Sequence, residues 1–511
     1  MTNPSTERGG AWRQLAKNVL TNYLSLLLSG VSLLVLTPYV VARLGSALFG
    51  VWMLMTSVVG YLGLLDLGLQ TTVVRHVSSY RARNELEKLE VHVGTLLVAY
   101  GAIGVLALIG AVIVGSNASR LFRLPQEVSG QVLTIFLLGG LGLAVRLPSS
   151  LLGGVLQGFQ RYDINNWVGA ASVGATFLLT IALLEFGYGL TGLLWLNFIM
   201  TLFTGIVRGA IIVRKLGVRI APTLADWHEL KQAAGYSVWV FLLTIAARLT
   251  FETDTITISV FLPVVAVTTY TVAYRMVDAV ARLVFGTVDV LFPVFTQIEA
   301  SRGIQETSRL YLQAVKLALV IALPFFIVFV VFGKELIQAW MGGGFEGSYP
   351  VLVLLTLAML FHLPGHVSAI LLLSTARHRM LAVLGLADAL LNVILSVVLV
   401  QRIGLPGVAL GTLIALSVSN GVIIPAYTCR LVGTRFTSYL GVLSRCVGPA
   451  LAITVVGVAV SAGEWVKGRP SLLILAGVST LVVFLTMYVT FVLTAEERNL
   501  YQAQLRRVLA R

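Results

Sequence analysis

Apolar runs of about twenty residues recur along the whole chain, separated by short polar and charged segments. A run of that length crosses a hydrocarbon core of about 30 Å as an α-helix. Fourteen such spans are predicted, roughly 18–42, 47–68, 91–115, 130–154, 164–186, 190–212, 234–262, 265–292, 313–333, 350–373, 380–401, 405–428, 440–463 and 470–494. The pattern implies an all-α integral membrane protein, and no segment between the runs is long enough for a soluble domain. The opening TERGGAWRQLAK, followed by an apolar run, has the outline of a signal peptide. The run to Val41 is too long for its hydrophobic region and lacks a small-residue cleavage site, so a retained first helix is expected.

Polar positions inside the spans keep helical spacing. The first span carries Asn18, Asn22, Ser25, Ser29 and Ser32 at steps of four and three, which hold one face of a helix. The seventh carries Ser237, Thr244, Arg248, Glu252, Thr255 and Ser259 on a similar stripe, with Asp254 nearby. The eighth carries Arg275, Asp278, Arg282 and Asp289. Ser, Thr and Asn in such positions serve ordinary helix packing as readily as a ligand. Charged groups are different: an arginine at the bilayer centre costs about 2.5–3.5 kcal/mol, so Arg146, Arg248, Arg275 and Arg282 must face protein or water. The same spacing allows internal pairing, Arg248 with Glu252 and Asp278 with Arg275 or Arg282, so a purely structural ion network is the competing account.

The pattern also repeats. GLTG at Gly189 returns as GLPG at Gly404, 215 positions on. LPSSLLGGVLQGFQRY from Leu147 returns as LPGHVSAILLLSTARH from Leu363, 216 on, pairing Pro148 with Pro364 and Arg161 with Arg377. Asp66 in LLDLGLQ and Asp289 in TVDVLFP are a looser pair. At the 216 offset His362 falls opposite Arg146. The period covers six spans, an even number, so the halves are expected as parallel repeats about an axis along the membrane normal. Residues 1–220 form the first six-helix lobe, 221–432 the second, and 433–511 two extra helices and a tail. Two such lobes imply a cleft opened alternately to either side.

Composition changes the picture only in its charge. The chain is 57% hydrophobic and 11% charged, with a formal net charge of +14. In a soluble protein that excess would suggest nucleic acid; here it lies in loops and sets orientation. With the N-terminus inside, the outer loops hold only Arg43, Arg120, Arg123, Lys334, Arg402, Lys467 and Arg469 of the 36 Lys and Arg. Both termini are therefore expected in the cytoplasm. Cys429 and Cys446 are the only cysteines, which supports neither a disulfide framework nor a thiolate metal site.

The candidate cleft residues are Arg248, Arg275, Arg282, Arg146, Asn22, Ser25 and Ser29. Midplane guanidinium groups favour an anion, since their forks match phosphate oxygens, although Glu252, Asp254 and Asp278 make the field mixed. Candidates for ion coupling or gating are Glu252, Asp254, Asp278, Asp388, Asn392, His362, Asp66 and Asp289. Asp388 and Asn392, one turn apart, suit an ion site or packing equally, and His362 suits a proton-linked step. No phosphate-binding loop, metal-ligand spacing or nucleophile elbow is present, so no enzymatic activity, cofactor or metal is expected, and energy is assigned to an ion gradient, Na+ or H+, or the membrane potential.

Three stretches resemble one family. PYVVARLGSALFGVWMLMTSVVGYLGLLDLGLQTTVVRHVS is similar to the N-terminal signature of Wzx-type polysaccharide flippases. LLGGVLQGFQRYDINN resembles their fourth-to-fifth helix hinge, and FLPVVAVTTYTVAYRMVDAVARLV the start of their second lobe. These belong to the multidrug/oligosaccharidyl-lipid/polysaccharide (MOP) exporter superfamily. The resemblance implies transfer of undecaprenyl-pyrophosphate-linked oligosaccharide from the inner to the outer leaflet of a bacterial cytoplasmic membrane, with a polysaccharide polymerase and a chain-length regulator as partner candidates. A lipid II flippase shares the architecture but usually carries more cations in its first two helices. A cation-coupled multidrug exporter typically has twelve helices, and a non-transporting scaffold could share the fold.

Overall fold

A computed structural model describes residues 4–66, 69–230, 238–461 and 470–492, and among them every regular element is a helix. Eleven of these are long and apolar enough to cross a membrane. One, the Leu28–Asp66 stretch, carries the first two predicted spans: the helix Pro4–Leu62 is broken at Gly45, where φ is 79° and ψ 159°, a backbone that suits glycine. Two shorter apolar helices, Phe241–Thr250 and Leu475–Thr490, fall on the seventh and fourteenth spans. Among the described residues, all fourteen predicted spans thus fall on helix.

The chain divides into two compact units, Met1–Thr268 and Thr269–Arg511. In the first, Leu86–Leu121 and Gln126–Gly158 pack against each other over much of their length, and small residues make the seam. A Cβ on Gly115 would stand 2.7 Å from Phe136 Cβ, one on Gly140 2.6 Å from Ala111 Cβ, and one on Gly104 3.0 Å from the Ala144 backbone. On Leu86–Leu121 the buried positions include Ala107, Ala111, Gly115 and Ala118, while Val105, Leu106, Ile109 and Ile113 are exposed. That is the arrangement expected where lipid, not water, lies outside: close backbone approach replaces a hydrophobic drive between helices. The unit takes in Val238–Phe261, which packs on Pro4–Leu62.

In the second unit His378–Ile403 and the helix from Leu405 form a tight hairpin. A Cβ on Gly407 would lie 2.3 Å from the Leu399 carbonyl oxygen, and one on Gly411 2.8 Å from the Ser396 amide nitrogen. Overpacking of this kind costs about 1–3 kcal/mol. Gly407→Ala should therefore lower the thermal unfolding temperature of the detergent-purified protein, whereas Gly441→Ala, with nothing within 4 Å, should not. Both would be followed by intrinsic fluorescence. Equal midpoints would show that the hairpin is looser than described. The helices Ile304–Met341, Phe436–Ser461 and Pro470–Met487 form an apolar groove of about 440 Å³, open on one side and lined among others by Ile327, Phe332, Ile453, Val456, Val483 and Met487.

The sequence repeat has a structural counterpart within each unit. Pro148 lies inside the helix Gln126–Gly158 and Pro364 inside Ser348–Ser374. Each helix ends in the same turn. Gln160 and Ala376, 216 residues apart, both take left-handed backbone, φ 59° and 58°. Arg161 N donates to Leu156 O at 2.9 Å, and Arg377 N to Leu372 O at 2.8 Å. Gly189 and Gly404 also share positive φ, 59° and 68°.

Candidate functional site

Within the first unit, two helices bring charge together at the middle of their spans. Arg248, halfway along Val238–Phe261, donates from Nη1 to Glu252 Oε1 at 2.7 Å. Arg146, from Gln126–Gly158, lies within the field of both groups. Among the described residues it has no carboxylate at salt-bridge distance, and it is exposed. Glycines of the first helical stretch complete the surround. A Cβ on Gly60 would stand 3.2 Å from Arg248 Nη1 and 3.4 Å from Glu252 Oε1; one on Gly63 would stand 3.7 Å from Arg146 Nη2. Tyr61 Oη donates to the Arg248 carbonyl at 3.3 Å and meets Thr253 Oγ1, fixing the helix that carries the pair. Within this trio two guanidinium groups stand against one carboxylate, a surplus positive charge that the buried Asp254, in the same field at Tyr61, offsets in part; both arginines stay reachable, Arg146 being exposed and Arg248 at 35% exposure. In a low-dielectric surround that surplus favours an anion.

The other candidates of this unit are more dispersed. Asp254 is buried, and Asp66 lies beside Tyr100. Ser29 is exposed, and the side chains of Asn22 and Ser25 lie outside the described residues, as does Ser237.

In the second unit, Val265–Val288 repeats the two-to-one composition. Arg282 donates from Nε to Asp278 Oδ2 at 2.7 Å, and Arg275 lies in the field of the same carboxylate. Arg282 is 55% exposed and Asp278 14%. Asp289, just beyond the helix, pairs through Oδ1 with His366 Nε2 at 2.8 Å; His366 in turn lies against Phe285, which also meets His362 edge-on. Both i,i+4 ion pairs implied by the spacing are therefore formed.

Asp388 and Asn392 are buried. Ser419 Oγ donates to Asp388 Oδ1 at 2.6 Å, Asn420 Nδ2 donates to Ser419 Oγ at 2.8 Å, and Asn392 Nδ2 donates to Thr412 Oγ1 at 3.2 Å. Ser419–Ile423 is one π-helical turn, a widening frequent at functional positions. It presses Asn420 on the backbone of Gly365, where a Cβ would lie 2.5 Å from Asn420 Cβ, and brings Asn420 to His362. Sequence spacing places Asp388 and Asn392 on one face, but gives no sign of Ser419 or Asn420, nor of Gly60 and Tyr61, because those contacts are tertiary.

Residues 15–299, over half of the 511-residue chain, match the family model described as polysaccharide biosynthesis protein. The chain is 24% identical over 508 residues to the uncharacterized membrane protein EpsK of Bacillus subtilis (strain 168), spanning 96% of this chain and 98% of that protein. The lipid II flippase MurJ in an inward closed conformation superposes with a TM-score of 0.70 at 13% identity, over 92% of this chain and 98% of that one. An inward-facing multidrug resistance MATE transporter of the MOP superfamily superposes with a TM-score of 0.65 at 16% identity, over 81% and 94%. At those identities the solved structures speak for the fold, and the family model speaks for descent: the chain belongs to the polysaccharide biosynthesis protein family and has the fold of the MOP superfamily.

Proposed function

We propose that the protein moves undecaprenyl-pyrophosphate-linked oligosaccharide from the inner to the outer leaflet of a bacterial cytoplasmic membrane by alternating access, for the assembly of O-antigen, capsule or exopolysaccharide. The observation that carries this reading is the cluster of Arg146, Arg248 and Glu252, with its surplus positive charge at mid-span. A pyrophosphate offers the oxygens that two guanidinium forks complement. Arg275 and Arg282, around Asp278, supply a second group of the same composition. The apolar groove between Ile304–Met341 and the two last helices suits a prenyl or acyl chain. Asp388, with Asn392, His362 and the π-helical turn, is the favoured place for a coupling Na+ or H+. The test is transfer of a fluorescent lipid-pyrophosphate-linked oligosaccharide across reconstituted vesicles, scored by its accessibility to a membrane-impermeant quencher. No transfer above empty vesicles refutes the proposal.

A second reading, lipid II transfer, is favoured by the likeness to a lipid II flippase. Lipid II and a pyrophosphate-linked polysaccharide unit in the same vesicles separate the two, because they share the prenyl pyrophosphate and differ in the headgroup it carries. Multidrug export would instead show drug efflux with neither lipid moved, and a scaffold would move nothing.

The reading requires both termini in the cytoplasm, as the sparse positive charge of the outer loops indicates. A reporter active only in the periplasm, fused after Arg511, should stay silent. Activity there refutes the orientation.

A further inference from the structure

A separate cluster lies in the first unit, on elements other than those that carry Arg146 and Arg248. His76 comes from Leu69–Ala82, His92 from the first turns of Leu86–Leu121, and Glu229 from the segment that leads to Val238–Phe261. One donor atom from each lies within 4.8 Å of the others. His92 Nδ1 is 2.7 Å from Glu229 Oε1, and its ring is fully buried. The two imidazoles stack at 4.8 Å between centroids with 20° between planes. Tyr80 Oη donates to the same Glu229 oxygen at 2.8 Å.

The hydrogen bonds of this cluster are incomplete. Nε2 of His92 is buried with no partner. A protonated ring would need an acceptor at each nitrogen, so the neutral ring is the one that fits, and neutral imidazole is the metal-binding form. Burial also holds His76 below the ordinary histidine range, against the opposing pull of Glu229. Tyr80 is pushed up to about 12, first by burial and then by its bond to Glu229, so it stays a hydroxyl donor that orients the carboxylate.

We propose that His76, His92 and Glu229 hold a divalent transition-metal ion of the Zn2+ kind, and that the ion fastens the segment before the seventh span to the helices of the first lobe. Two imidazoles and one carboxylate form a donor set that Zn2+ accepts, with water at the fourth position. Nitrogen donors disfavour Mg2+ and Ca2+. Donors at about 2.1 Å from a tetrahedral ion stand about 3.4 Å apart. Coordination therefore closes the longest of these separations, at most 4.8 Å, by about 1.4 Å, opens the 2.7 Å His92–Glu229 pair by about 0.7 Å in exchange for its hydrogen bond, and turns the half-buried His76 out of its stack on His92. The backbone already brings the partners together. Asp226 N donates to Thr95 Oγ1 at 2.9 Å and Arg219 N to Glu90 Oε1 at 2.9 Å, while Gly94 lets Ala221 approach where a Cβ would sit 2.5 Å from its carbonyl oxygen. The ion completes a contact that the chain has preorganised.

The test uses the full chain, purified without a polyhistidine tag and stripped with EDTA. Co2+ is expected to bind with one equivalent, giving the visible absorption of a tetrahedral site, and Zn2+ to displace it. His76→Phe keeps an aromatic ring stacked on His92 but removes a ligand. Glu229→Gln keeps the bond from Tyr80 but removes the charge. Each should weaken Zn2+ binding by at least about 10-fold, with elution in size exclusion as for the wild type. Failure of the wild type to bind an equivalent overturns the proposal without recourse to any variant. So does undiminished affinity in both variants.

Discussion

Arg248→Gln is expected to cut transfer of the lipid-linked pyrophosphate by about 10- to 100-fold, the equivalent of one charged hydrogen bond worth about 1.5–3 kcal/mol, while protein abundance in the membrane stays normal. Arg248 is bonded to Glu252 but remains 35% exposed, so it is both ordered and reachable. Arg146 beside it has no carboxylate of its own among the described residues. An incoming phosphate can therefore recruit both guanidinium groups while Glu252 retains part of its hold on one. Arg248→Lys keeps charge and loses the fork, so part of the transport should survive. A purely structural ion pair makes a different forecast. Removing Arg248 would strand Glu252, and the protein would be lost from the membrane; with Glu252 at 27% exposure the cost lies below that of a fully buried charge. Adding Glu252→Gln would then restore both abundance and function. Quantitative immunoblotting with the vesicle assay separates the two. Full transport by Arg248→Gln/Glu252→Gln rules out a phosphate role for Arg248. The same logic extends to Arg275→Gln combined with Asp278→Asn.

The spans were legible because each is a long apolar run, a signal that depends on no tertiary contact. The ion pairs Arg248–Glu252 and Asp278–Arg282 were legible for a related reason: both lie within one helix, where period alone sets proximity. Arg146 is different. It stands 102 positions from Arg248, and nothing local announces that their helices bring them together. The repeat was legible through Pro148 and Pro364 and the arginines that follow, yet the left-handed backbone at Gln160 and Ala376 was not, since neither residue type favours it. The turn is imposed by the helices it joins. The π-helical turn at Ser419 was equally silent, because it depends on Asn420 fitting against Gly365.

Asp388→Asn is expected to reduce gradient-driven transport by at least about 10-fold, or about 1.4 kcal/mol of coupling, while exchange without a gradient continues. The substitution is chosen for what it keeps. Ser419 Oγ donates to Asp388 Oδ1 at 2.6 Å, and the amide oxygen of asparagine accepts the same bond. Shape and helix packing are thus preserved, and only the negative charge is removed. If Asp388 serves packing alone, gradient-driven transport and exchange should both stay at wild-type levels. If it binds a coupling ion, the charge is what the ion recognises, and imposed Na+ or H+ gradients lose their effect. Asn392→Asp supplies a counter-test. Asn392 donates to Thr412 and is fully buried, so a carboxylate there cannot make that donation unless it is protonated. It should destabilise the hairpin of His378–Ile403 with the helix from Leu405 without transferring the coupling role. Normal response to both gradients in Asp388→Asn removes Asp388 from the coupling site.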